Sequence, residues 1–456
     1  MNLRVTLAIA ACKLVRLVAR ILKKGGTAKP GEIALKLCPD LLSVVSRGVE
    51  TVVVTGTNGK TTTCRMLERS FAEAGKSCVV NRSGANLMSG IVTEFVMECS
   101  LTGKCRKRCA VMECDEGWTK HVLPALRPRA FVVTNLFQDQ VDRYGDVSNT
   151  LAAIRAGVEG SPDTVLVLNA DDPVTATLGL SGAPNRVVWY GLESAVGSAG
   201  AQPGKAEIRS CLRCGAELEY SYVTYAHLGG YRCPECGLAR PTPDVAVTEL
   251  LDLGADGSRV MLRAAGEAKE LYVNQPALYN ISNAAACVAG AMAMGLGAEA
   301  GRAAAERFRC GFGRMEKFDL GAGARMILIK NAAGCSQVLQ FLARQTEPFR
   351  VVFITNNRGA DGTDIGWLAD ADFELLAGMA PLRGVTFSGI CADEVRARVL
   401  AAGVDERLTD TQTDYAALAE AVCASEVPVF LLPSYTGMME FRPYLVKRTG
   451  GAEFWE

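Results

Sequence analysis

Histidine is almost missing from this chain: His121 and His227 are the two among 456 residues. A cysteine or serine nucleophile that needs an imidazole base has little to draw on, which argues against histidine-dependent catalysis carried out within the chain alone. Net charge is missing as well. The 49 Lys and Arg balance the 49 Asp and Glu, leaving +0, so no global field draws the chain onto nucleic acid. An unbroken apolar run long enough to span a bilayer is also absent. The most apolar stretch, residues 2–24, is interrupted by Arg4, Lys13, Arg16, Arg20, Lys23 and Lys24, too many charges for a membrane span or for the core of a signal peptide. It reads as an amphipathic helix, open to two roles: packing on the next domain, or laying a basic face on anionic lipid.

The remaining composition is that of a soluble protein with real cores, 49% hydrophobic and 21% charged, and the length suits about three domains at ~150 residues each. Seventeen cysteines would suggest disulfides in a small secreted domain. Here many fall inside apolar patterns, as Cys64, Cys78, Cys287 and Cys423 do, which fits reduced, buried thiols and a cytoplasmic location.

Residues 50–63, ETVVVTGTNGKTTT, organise the chain. A β-branched run breaks at Gly56, and after Gly59-Lys60-Thr61-Thr62 a helical pattern begins through Met66, Leu67 and Phe71. Strand, phosphate loop and helix explain the residue types. Gly56, Thr57, Asn58 and Gly59 let backbone N–H groups approach phosphate oxygens, Lys60 reaches the outer phosphates, and the Thr61 hydroxyl holds magnesium at the helix N-terminus. A strand over 109–112 follows and ends in Glu113-Cys114-Asp115-Glu116. Carboxylates at the tip of a strand beside a phosphate loop are placed to hold magnesium; otherwise they form a surface acidic turn. Strands over 130–134 and 164–168 end in polar tips of the same kind. The repetition predicts a doubly wound α/β domain with one crowded edge.

Cys211-x-x-Cys214 and Cys233-x-x-Cys236 are separated by eighteen residues, and a glycine follows each pair. Two such knuckles present four thiolates to one tetrahedral zinc, with no position left open for catalysis. The residues between them, 218–225, suggest a short hairpin. Further on, residues 279–283 open an alanine-rich helix, and 311–316 read as a hinge and linker. A second α/β alternation then starts, with strands near 326–329, 351–354, 384–387 and 427–432 and no phosphate loop of its own. Its polar stretches after the first two strands, 330–334 and 356–367, fall where sites form. For Asp361, Asp364, Asp370 and Asp372, helix capping and loop solvation stand beside a catalytic role.

Taken in order, TGTNGKTTT, the acidic strand end at Glu113, the Asn-x-x-x-Asp-Gln-x-Asp-Arg segment at 135–143, LNADDP at 168–173, Tyr-Asn-x-x-Asn-Ala at 279–284 and Gly-Arg-x-Glu at 313–316 resemble the Mur ligase family. The ribbon, ADGTDIGW at 360–367 and Pro-Ser-Tyr-Thr at 433–436 are similar to its branch of synthetase subunits of lipid II isoglutaminyl synthase. The resemblance implies an N-terminal amphipathic segment over 1–48 and a Mur ligase-like, ATP-binding α/β domain over 49–310. A zinc ribbon of four cysteines is inserted in that domain at about 205–242, and a Rossmann-like domain over 311–456 contacts a GatD-like glutaminase subunit. It implies that ATP activates the α-carboxylate of D-glutamate in lipid II as an acyl phosphate, which ammonia converts to D-isoglutamine at the inner face of the membrane. Lys60 and the loop through Thr62 would hold ATP with Asn280 near the nucleotide, Thr61 and Glu113 would hold magnesium, and Asp364 would complete the partner's Cys-His pair. Three positions depart from the pattern: Gln140 stands where histidine is usual, Ala332 where proline is usual, and Asn357 where aspartate is common. A ligase of the Mur or folylpolyglutamate type that joins an amino acid shares the loop but does not account for the ribbon or ADGTDIGW. A zinc-ribbon NTPase on nucleic acid is disfavoured by the neutral charge.

Overall fold

A computed structural model describes residues 3–22, 27–82, 85–137, 147–197, 208–254, 256–309 and 314–449. The chain divides into two compact units, the first running to Phe308 and the second starting at Arg309, with 275–277 counted in the second.

In the first unit, β1 (Glu50–Thr55) is an interior strand, third from one edge of a nine-stranded sheet. Its neighbours are β3 (Cys109–Glu113) and β4 (Ala130–Val133), both parallel to it. The sheet continues on one side to β2 (Cys78–Val80) and on the other through β5 (Val165–Asn169) and β6 (Val187–Leu192) to β9 (Val245–Leu253), all in parallel register. It ends in an antiparallel meander of β10 (Ser258–Ala264) and β11 (Glu267–Val273). Helices on both faces explain why β1 reads as an almost unbroken apolar run. Val52 and Val54 pack with Leu67 and Phe71 of α4 (Lys60–Glu73) and with Ile281 and Val288, whereas Val53 points into a second core. That second core holds Val5, Ala8 and Ile9 of α1 (Leu3–Ile21), Ala34 of α2 (Lys29–Leu37), Leu41 and Leu42 of α3 (Leu41–Val45) and Phe95 of α5 (Met88–Met97). The N-terminal helices therefore share a core with the sheet.

Between β6 and β9 the chain leaves the sheet as a small hairpin, β7 (Glu219–Tyr225) and β8 (Leu228–Arg232), paired antiparallel. The hairpin expected over 218–225 supplies only the first of these strands. The turn comes at Ala226 and His227, because Gly229 and Gly230 extend the second strand and a Cβ at Gly229 would meet the Tyr222 carbonyl at 2.1 Å.

The second unit is built on a six-stranded sheet. Its strands are β12 (Arg314–Phe318), β13 (Ala324–Ile327), β14 (Phe349–Ile354), β15 (Leu382–Ser388), β16 (Thr409–Thr411) and β17 (Val429–Pro433). They lie in the order β12-β13-β17-β14-β15-β16, parallel except at β12. The hinge expected over 311–316 is in part strand: from Arg314 the chain pairs antiparallel with β13, and Glu316 takes three hydrogen bonds from the Arg442 guanidinium, one at 2.7 Å and two at 3.0 Å. That side-chain pair is close to fully buried. Breaking one partner of such a pair costs about 3–5 kcal/mol, so these residues are fixed in place by their partner.

Candidate active site

The phosphate loop is clamped from two sides. Gly56 (φ +124°) and Gly59 (φ +86°) hold conformations that L side chains rarely adopt. A Cβ at Gly56 would meet Thr134 Oγ1 at 2.2 Å, and one at Gly59 would meet Asn283 Oδ1 at 2.1 Å. The tip of β4 supplies the first clamp. Thr57 N–H donates to the Asn135 carbonyl at 2.8 Å and Asn58 N–H to Asn135 Oδ1 at 2.9 Å, while Thr134 Oγ1 donates to the Asn58 carbonyl at 2.6 Å. The second clamp is the start of the alanine-rich helix Leu278–Ala293. The loop is thus pre-shaped, and ordering it for a ligand costs little conformational entropy.

Lys60 opens α4. Its ammonium donates to Glu116 Oε1 at 2.7 Å and to the Gly56 carbonyl at 2.5 Å, in surroundings that leave both side chains nearly buried. Burial pushes the Glu116 carboxyl up, and the neighbouring Lys60 charge pulls it the other way. One residue on, Thr61 Oγ1 donates to Glu113 Oε2 at 2.8 Å. Glu113 is itself fixed at the end of β3: its N–H donates to Asn81 Oδ1 at 2.9 Å, and Asn81 Nδ2 donates to its carbonyl at 2.8 Å. A hydroxyl and a carboxylate oxygen held together beside the loop make the hard oxygen pair that magnesium accepts, the ion keeping several waters of its own.

The structure brings Glu113 against the loop that runs from Gly56 to Thr62, through Thr61. It adds two residues. Glu116 is the carboxylate that meets Lys60, and its place in the acidic cluster at the end of β3 was the available signal. Asn283 is the asparagine against Gly59, while Asn280 sits behind it, its Oδ1 accepting from Asn283 Nδ2 at 3.5 Å. Both asparagines are buried. Within the 135–143 segment, Asn135 to Phe137 are described, whereas Asp139, Gln140, Asp142 and Arg143 lie outside the described residues.

The tip of β5 carries Asp171 and Asp172, which tie the hairpin insert to the sheet. Arg240 Nε donates to Asp171 Oδ1 at 2.8 Å, and Leu192 N–H donates to Asp171 Oδ2 at 2.8 Å. Burial pushes the Asp171 carboxyl up to about 6 against the opposing pull of Arg240. Asp172 Oδ1 lies 3.2 Å from His227 Nε2, and its Oδ2 accepts the Leu136 N–H at 2.9 Å. At the far end of the insert the sulfur atoms of Cys211, Cys214, Cys233 and Cys236 all lie within 4.8 Å of one another. The pairs Cys211–Cys236 and Cys214–Cys233 are 3.5 Å apart. Four sulfurs at ~2.3 Å from a common centre would form a tetrahedron with edges of about 3.8 Å, so the thiols fit one zinc ion. Gly215 (φ +78°) and Gly237 (φ +70°) make the tight turn after each pair. Elsewhere, burial pushes Cys12 up to about 11 and Cys287 to about 12, which keeps these two as inert thiols.

In the second unit Asp361 and Asp364 share one loop and differ in role. Asp361 Oδ1 accepts the Thr436 N–H at 2.7 Å, and its Oδ2 accepts Thr436 Oγ1 at 2.5 Å and Arg358 N–H at 3.1 Å. These bonds anchor the loop to the start of the helix Tyr435–Thr449. Asp364 is exposed, and its Oδ1 accepts the Gly366 N–H at 2.7 Å. Asp372 N–H donates to Ser336 Oγ at 3.0 Å, and Asp370 lies exposed. Asn331 caps the helix Ala332–Leu342 through Gly334 N–H at 2.8 Å.

The sequence matches the Mur ligase middle domain over residues 54–210 and the MurT ligase C-terminal domain over 328–438. It is 33% identical over 450 residues to the MurT subunit of the glutamine-hydrolysing lipid II isoglutaminyl synthase of Streptococcus pneumoniae, covering 98% of each chain. It is 30% identical over 439 residues to the subunit of the same name from Staphylococcus aureus, covering 94% of this chain and 95% of that one. Among solved structures, a pseudomurein peptide ligase type C from Methanothermus fervidus superposes with a TM-score of 0.67 at 20% identity, over 88% of this chain and 79% of that one. MurF from Acinetobacter baumannii gives 0.65 at 17% identity, over 91% and 80%. The two structures share the fold with this protein, the near-full-length likeness in sequence is closer than fold, and the chain belongs to the MurT family of Mur ligases.

Proposed function

We propose that this chain is the ATP-dependent synthetase of a two-subunit enzyme that converts the α-carboxylate of D-glutamate in the lipid II stem peptide to the amide. The observation that carries the reading is the pairing of Lys60 with Glu116 and of Thr61 with Glu113 at one end of the sheet, in a chain similar to named MurT subunits over almost its full length. A substrate carboxylate oxygen attacks the γ-phosphorus of ATP, the bond to the ADP oxygen breaks, and an acyl phosphate forms. Ammonia then attacks the acyl carbon, the carbon–oxygen bond to phosphate breaks, and the amide forms with loss of one proton from nitrogen. The pre-shaped loop from Gly56 to Thr62 holds the phosphates, Lys60 offsets the charge that builds on them, and Thr61 and Glu113 supply the protein oxygens for magnesium. Asn283 keeps Gly59 in position, and Asn280 supports Asn283 from behind.

Ammonia comes from a GatD-like glutaminase subunit. A glutaminase cysteine needs a base, and the base needs a carboxylate that orients it. Asp364, exposed on its loop, is the residue we assign to that task in the partner's site. The four cysteines hold zinc as a structural ion that keeps the insert folded. Substrate on a membrane lipid puts the protein in the cytoplasm at the inner face of the membrane. Among the described residues no helix is long and apolar enough to cross it.

The test is amidation of lipid II by the purified chain with ATP, magnesium and ammonium, and no partner. Mass-spectrometric loss of the carboxylate and gain of the amide is the expected result. No product with ammonium, or product only when an amino acid is supplied, would overturn the reading.

A further inference from the structure

α1 buries one side and shows the other. Val5, Ala8, Ile9 and Cys12 enter the core beneath the sheet. On the opposite side Leu3, Leu7, Ala10, Leu14, Leu17 and Ile21 recur at alternating spacings of four and three, and Val18 widens the row. All of them face solvent, and the six larger side chains are 45% to 71% exposed. Residues three and four apart share a helix face, so the row is one apolar stripe roughly 100° wide. A stripe of this kind left in water marks a docking surface.

The charges on the helix select the occupant. α1 carries Arg4, Lys13, Arg16 and Arg20 and no Asp or Glu. At 3.6 residues per turn, Arg4 falls on one flank of the stripe and Lys13 and Arg20 on the other, each about a quarter-turn from its centre. Two of these cations are held in place: Arg4 Nε donates to the Leu37 carbonyl at 2.6 Å and Lys13 Nζ to the Cys99 carbonyl at 2.5 Å. Glu94 of α5 faces Arg16 and Arg20 from the protein side. A seam for a partner helix would be edged by charges of both signs. Here the edges carry one sign, the sign that anionic lipid headgroups attract.

We propose that the exposed stripe of α1 docks the protein flat on a bilayer that carries anionic phospholipid, with the Leu and Ile row at the acyl boundary and Arg4, Lys13 and Arg20 level with the lipid phosphates. The purpose of this docking rests on the amidation reading, which puts the substrate on a membrane lipid, but its geometry does not. Flotation of the full chain with vesicles of phosphatidylcholine, with and without phosphatidylglycerol, tests it. The expected result is binding at least about tenfold tighter to the anionic vesicles, since each cation near such a surface favours binding, and weakening as salt is added. The double substitution L14E and L17E replaces exposed side chains only, and should reduce vesicle binding by more than about a hundredfold with an unchanged near-UV spectrum. Amidation of detergent-dispersed lipid II by the same variant should continue at the wild-type rate; that assay reports the chemistry separately, so either idea can fail without the other. Failure of the wild-type chain to float with anionic vesicles, or equal binding by the double variant, would overturn the proposal. So would wild-type self-association that L14E and L17E abolish while neither form touches lipid, because the stripe would then be a protein seam.

Discussion

Glu113 and Asp364 are both carboxylates beyond the working end of a parallel sheet, yet their surroundings differ. Glu113 is 7% exposed, bonded to Thr61 from the neighbouring helix and fixed through its backbone by Asn81. Asp364 stands in solvent, its carboxylate accepting a backbone N–H two residues on. A carboxylate that works inside its own chain is positioned by residues distant in sequence. One proposed to serve another protein's site needs a rigid loop beneath it, and Asp361 fixes that loop through its bonds to Thr436 and Arg358.

The sharpest way to break this comparison is Asp364→Asn. With the partner present, glutamine-driven amidation should fall by roughly 10⁴-fold, the scale seen when the orienting carboxylate of a catalytic triad is lost, while ammonium-driven amidation stays unchanged; equal loss of both would remove Asp364 from the partner's site. Lys60→Met should lower both rates together by roughly 10²- to 10³-fold, as loss of a charge-stabilising donor does, and a variant retaining either rate would show that the loop is not the phosphate site. Asp361→Asn weakens the anchor beneath Asp364. Losing bonds of this kind costs about 1–2 kcal/mol, so glutamine-driven turnover should fall about tenfold with ammonium-driven turnover spared, measured side by side. Asn283→Ala has the smallest expected effect, a rise in the KM for ATP of about fivefold through looser support of Gly59, and an unchanged KM would argue that the first clamp suffices.

Much of the first site was legible because its parts are local. Glycines, Lys60 and Thr61 fall within six consecutive residues, and each does what its backbone freedom or side chain requires. The four cysteines were legible for the same reason, two short knuckles at fixed spacing. The contact between Lys60 and Glu116 joins residues fifty-six apart, so the acidic cluster at the end of β3 offered candidates without singling out Glu116. β12 was read as a hinge because glycines precede it; its strand character depends on β13 and on Arg442, both remote in sequence. β6 escaped notice because Asn185 precedes it and Gly191 falls within it, and its register is set by β5. The Asp361 anchor could not be foreseen either, since Thr436 arrives from seventy-five residues downstream.

The joint between the insert and the sheet has a consequence for inheritance. Asp171 keeps its buried carboxylate in company with Arg240, and Asp172 meets His227; both partners belong to the inserted stretch. Cutting out the ribbon and rejoining the flanking strands would leave a buried charge stranded at the tip of β5, at a cost of about 3–5 kcal/mol. The insert is therefore not a module that can be traded between ligases by itself. In this chain Asp171 and Asp172 and the insert's Arg240 and His227 act as one unit, and the insert cannot be lifted out without replacing what its two partners supply.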